Sequence, residues 1–80
     1  MNDEIHIGKM IRRKMQAERR KAGWLAKEIG CHTSNIYRIY NQQFPPTGCV
    51  NKICIVLEID LYPFYSKYIK ERIQEKNELE

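Results

Sequence analysis

The sequence predicts an all-α domain, a compact bundle of five helices with a helix-turn-helix at its centre, and three observations carry that prediction. Apolar residues recur at helical spacing in Ile7/Ile11/Met15, in Leu25/Ala26/Ile29 and in Val50/Ile53/Cys54/Leu57, each set lining one face of a helix. Gly30 and the pair Pro45-Pro46 punctuate the pattern, one where a helix can turn through positive φ and the other where the chain must run extended. Ala26, Gly30, Ile36 and Ile39 then stand where two helices would cross closely around a tight turn at Gly30-Cys31-His32.

In chain order, the first helix is expected over about Ile7 to Lys21. Met10 and Ala17 widen its apolar stripe, while Lys9, Arg12, Arg13, Arg19 and Arg20 lie outside it. Its residues are good helix formers, so propensity agrees with pattern. The second helix is expected from near Trp24 and is weakly announced, since Lys21-Ala22-Gly23 offers only glycine as a cap. Trp24 either offers its ring outward for stacking on a partner or covers the edge of the core.

The third helix is the candidate for recognition. At about 100° per residue, Ile36, Ile39 and Tyr40 fall on one side, Ser34, Arg38 and Asn41 on the other, with Asn35 and Tyr37 flanking. Thr33 and Ser34 at its start either cap the helix or reach outward, and Thr33 would inherit the cap if His32 cannot supply it. The stretch Asn41-Gln42-Gln43-Phe44-Pro45-Pro46 reads as a loop whose Phe44 plugs back into the core. Thr47 is expected to cap a fourth, core-forming helix over Gly48 to Leu57. Asp60 is expected to cap a fifth, with Pro63 tolerated in its first turn and Leu61, Phe64, Tyr65, Tyr68 and Ile69 on its apolar side. Residues 1–80 thus read as one domain, with 66–80 a polar C-terminal helical tail that either frays or dimerises through Tyr68, Ile69 and Ile73.

The stretch from Leu25-Ala26 through Gly30 to Ile36 and Ile39, with a basic helix ahead and a short apolar helix behind, resembles the phage repressor and Cro type of DNA-binding domain, the XRE family. The resemblance runs from about Ile7 to Tyr65 and implies a lambda repressor-like fold, binding of double-stranded DNA through the major groove, and transcriptional regulation. It assigns base contacts to Thr33, Ser34, Tyr37 and Arg38, with Arg38 suited to guanine O6 and N7 and Tyr37 to a thymine methyl. It assigns backbone contacts to Arg12, Arg13, Lys27, Asn41, Gln42 and Gln43. A homodimer would place two half-sites one helical turn apart. The family commonly has a Ser or Thr cap where this chain has Gly23, and a Ser where it has His32.

Charge points the same way. Residues up to Phe44 carry nine Lys or Arg against four Asp or Glu, and those from Pro45 onward carry five against six, so the positive charge travels with the helix-turn-helix. A polyanion is the natural partner of such a surface, because neutralising phosphates releases condensed counterions; a merely solvated basic face is the other reading. Three cysteines without an export signal, and no C-x-x-C pair, suggest small apolar roles rather than disulfides or a metal site. No cofactor, no membrane span and no small-molecule substrate is expected, no catalytic motif is present, and the cytoplasm is the expected compartment. Two other readings stay open. One is a protein-interaction helix-turn-helix module, antitoxin-like or an accessory regulator. The other is nonspecific nucleic-acid or RNA binding.

Overall fold

A computed structural model describes residues 4–79. Over these residues the fold is all-helical, with five helices: α1 (Ile7–Ala17), α2 (Ala22–Ile29), α3 (Thr33–Tyr40), α4 (Thr47–Leu57) and α5 (Tyr62–Leu79). Ile7, Ile11, Met15, Leu25, Ile36, Val50 and Ile53 are fully buried, so each of the first four helices contributes to one core. Burying each such side chain stabilises the fold by about 1.5–3 kcal/mol. Helix α2 packs on both α3 and α4, and α1 packs on α3.

Helix α1 opens with His6, whose Nδ1 accepts from the Lys9 N–H at 3.0 Å. It stops four residues short of the expected Lys21. Arg19 takes a left-handed conformation at φ 55°, and the Arg20 N–H then bonds back to the Met15 carbonyl at 2.9 Å, so the chain turns away. Ala17 is consequently exposed rather than part of the buried stripe. That early stop frees Ala22 to begin α2 two residues before Trp24, and Ala22, Leu25, Ala26 and Ile29 form its buried face. Gly30 ends α2 at φ 77°, with its N–H and that of Cys31 both returning to the Ala26 carbonyl, which sets the tight turn into α3.

The expected side-chain caps of α3 and α4 do not form. His32 and Pro46 occupy the two N-cap positions without side-chain bonds, and Thr33 and Thr47 are already the first helical residues. Asn35 is served by the His32 carbonyl, and Cys49 and Val50 by the Pro46 carbonyl. Asp60 does cap, its Oδ1 accepting from Tyr62 N–H at 2.9 Å, one residue removed from the expected geometry.

Two expectations about the C-terminal half are corrected. Phe44 remains 40% exposed, because the buried residue of that loop is Pro45; the Phe44 ring lies against Tyr65 and Tyr68 at 5.7 and 5.0 Å between centroids. Helix α5 has no buried residue, and Phe64 and Ile69 point to solvent, so it docks through this aromatic cluster, in which the half-buried Tyr65 packs against the main core. The tail is one continuous helix with the rest of α5, tied down where Arg72 meets Glu4 at 2.8 Å and Glu75 at 3.1 Å while lying 4.8 Å over the Tyr68 ring.

The join between α1 and the end of α3 fixes the position of α3. Ile7 and Gly8 donate their N–H groups to the carbonyls of Gln43 and Gln42 at 2.9 and 3.0 Å, so the positive end of one helix meets the negative end of the other. A Cβ on Gly8 would collide with the Ile39 carbonyl oxygen and fall 2.6 Å from that of Tyr40, which is why only glycine fits.

Candidate nucleic-acid interface

Helix α3 stands as a ridge. Its inner residues Ile36, Ile39 and Tyr40 are buried, and Thr33, Ser34, Tyr37 and Arg38 are exposed, with Tyr37 at 58%. The 3.6-residue period alone produces this division, and the four residues anticipated for base contact share the outward side.

A cleft lies on either flank of that ridge. The first, of about 690 Å³, is open and lined by Arg19, Arg20, Lys21, Gly23, Trp24 and Tyr37. It exists because α1 stops early: the turn through Arg19 swings three consecutive basic side chains toward the start of α2 and the face of Tyr37. The Arg20 guanidinium sits 4.2 Å from the centroid of the Trp24 ring, which leaves Trp24 half-buried beneath a cation. Helix α2 has no side-chain cap here; the Lys21 carbonyl accepts from the Trp24 and Leu25 N–H groups at 3.0 and 3.3 Å, and the exposed Gly23 lines the basic cleft. Helical periodicity does not single out these three basic residues as contacts, because it reads them as the outer face of a longer α1. The Arg-Arg-Lys run ahead of Ala22-Gly23 is the signal that could have found them.

The second cleft, of about 270 Å³, lies between α3 and the start of α4 and is lined by Asn35, Arg38, Gln42, Cys31 and Cys49. Arg38 therefore stands between the exposed ridge and a largely apolar hollow, which Ile39 and Pro46 also line, next to the half-buried Gln42.

The backbone candidates divide. Arg12 is exposed on α1, the helix that packs on α3. The Tyr40 hydroxyl is held above the usual tyrosine range, chiefly by burial and also by Tyr37, with Arg12 pulling in the opposite direction. Asn41 is exposed at the end of α3, and Lys27 is exposed on α2. Gln43 also plays a structural part, since its Nε2 donates one hydrogen bond to the Ile5 carbonyl at 2.9 Å and holds the segment before α1. Arg13 is exposed on α1, with no contact that brings it to α3.

Electrostatically the face is uncompensated. Lys14 pairs with Glu18 at 2.8 Å, but Arg12, Arg19, Arg20, Lys21, Lys27 and Arg38 form no ion pair with any described residue. No protein-family model matches this chain, and no curated protein and no solved structure matches it either. Among the described residues no cluster of three or more potential metal ligands occurs, and no helix is long and apolar enough to cross a membrane.

Proposed function

We propose that this domain binds double-stranded DNA with α3 in the major groove and acts as a sequence-specific transcriptional regulator, in the manner of the repressor and Cro-like domains it resembles. The observation that carries the reading is the unpaired basic surface gathered around the exposed ridge of α3. A row of cations without internal partners is costly in self-repulsion and is relieved by a polyanion. In this reading Thr33, Ser34, Tyr37 and Arg38 face base edges, and Arg12, Lys27, Asn41 and Gln42 meet the sugar-phosphate backbone. Arg19, Arg20 and Lys21 join them at the open end of α2. Gln43 joins them through the amide N–H that its bond to the Ile5 carbonyl leaves over.

A protein-interaction module would call for an exposed aromatic face of Trp24, Tyr37 and Tyr40. Trp24 is half-buried under Arg20 and Tyr40 is only 9% exposed, whereas Arg38 and Lys27 are exposed, which favours the nucleic-acid reading. The test is selection from a randomised duplex pool, followed by fluorescence anisotropy at two salt concentrations. The expected result is one enriched motif bound at least about a thousandfold more tightly than random duplex. Binding that falls equally for all sequences as salt rises would leave only nonspecific attraction, and no binding would remove the reading altogether.

A further inference from the structure

Helix α5 carries a second surface, unrelated to α3. Tyr62, Ile69 and Ile73 are all exposed, the two isoleucines at 53% each. At about 100° per residue they lie within about 40° of one another. With Ser66 between them they follow the alternating four-and-three spacing of a coiled-coil seam. The stripe continues onto α4, because the Tyr62 hydroxyl donates to Asn51 and Ile55, one turn further along α4, is 77% exposed. It adjoins the side of α5 that holds the helix in place, where Tyr65, Tyr68 and Arg72 meet Phe44 and Glu4, the Tyr62 ring stacking on Tyr65 at 5.3 Å.

Charge on α5 is sorted around this stripe. Lys70 and Lys76 flank it on opposite sides, while Glu71, Glu75 and Glu78 all fall about 140–200° from its centre, on the far side of the helix. A second copy of the chain lying parallel on the seam would bring Lys70 and Lys76 against their own counterparts, and the carboxylate beside Ile55, that of Asp60, already accepts from the Tyr62 N–H at 2.9 Å. We infer that this face docks an acidic amphipathic helix of a partner protein, whose apolar residues would seat on Ile55, Tyr62, Ile69 and Ile73 and whose Glu or Asp residues would meet Lys70 and Lys76.

The test uses the full chain and two synthetic amphipathic helical peptides of the length of α5, identical in their apolar seam, one with glutamates and the other with lysines at the flanking positions. The acidic peptide binds and the basic one does not. Lys70→Glu with Lys76→Glu weakens the acidic peptide by about tenfold or more and admits the basic one. Ile69→Ser with Ile73→Ser abolishes binding of the acidic peptide. All four positions are exposed, and circular dichroism verifies that the variants remain folded. Equal binding of both peptides, or binding of neither, overturns the inference. So does a dimer in sedimentation that Ile69→Ser with Ile73→Ser dissolves, or preferential binding of the same face to vesicles of anionic phospholipid.

Discussion

Gly8 shows how tightly a single residue can constrain the position of a functional element. Its missing side chain lets α1 press directly on the last carbonyls of α3, and a methyl group there meets backbone rather than a yielding side chain. Gly8→Ala is expected to destabilise the fold by about 2 kcal/mol or more, read from urea unfolding, although alanine is the better helix former. Tyr65 presents the opposite case. Its Oη is buried without a hydrogen-bond partner among the described residues, so Tyr65→Phe removes an unsatisfied group while keeping the ring against Phe44. That variant is expected to be neutral or slightly stabilising in the same measurement. Neither residue announces itself in the sequence: Gly8 stands inside a good helix pattern, and Tyr65 looks like any other apolar position of α5.

At the scale of the element, α2 and α3 were legible because periodicity and a single glycine determine them. Ala22, Leu25, Ala26 and Ile29 make one stripe, Gly30 makes the turn, and Ile36, Ile39 and Tyr40 make the answering stripe. The ends of helices were less legible, since backbone carbonyls fill the role expected of Thr33 and Thr47, and Arg19 accepts a left-handed conformation usually left to glycine. That one turn decides the candidate site, because it converts Arg19, Arg20 and Lys21 from an outer helical face into the wall of a cleft beside Tyr37. Two variants separate the roles of the two flanks of α3. On the proposed reading, Arg38→Ala relaxes preference at one base position and weakens the selected duplex by about 1–3 kcal/mol. Arg20→Ala weakens all sequences alike and lowers the salt slope by about one. Anisotropy titrations across a salt series measure both.

For the whole molecule, the core of four helices and the aromatic docking of α5 each carry a tyrosine that ties stability to pH. Burial raises the pKa of Tyr40 and of Tyr65 in the folded chain, with neighbouring Tyr37 and Tyr62 adding to the effect. The neutral phenols are therefore favoured by folding. Their contribution is fully present below pH of about 10, the unfolded tyrosine value. It is lost as pH rises through the folded values. Unfolding followed across alkaline pH should show stability falling from about pH 10 upward, and Tyr40→Phe and Tyr65→Phe should each flatten that fall. The distribution of charge divides the molecule as well, with an unpaired basic surface around α3 and a sorted one on α5. Whether α3 and its flanking clefts face DNA is decided by backbone amide chemical-shift changes, mapped as the labelled protein is titrated with a duplex recovered from the selection. The largest changes are expected at Thr33, Ser34, Tyr37 and Arg38, with a second group from Arg19 to Trp24 and α5 unmoved. Changes concentrated on Ile55, Tyr62, Ile69 and Ile73, or no changes along α3, would contradict DNA binding through this face.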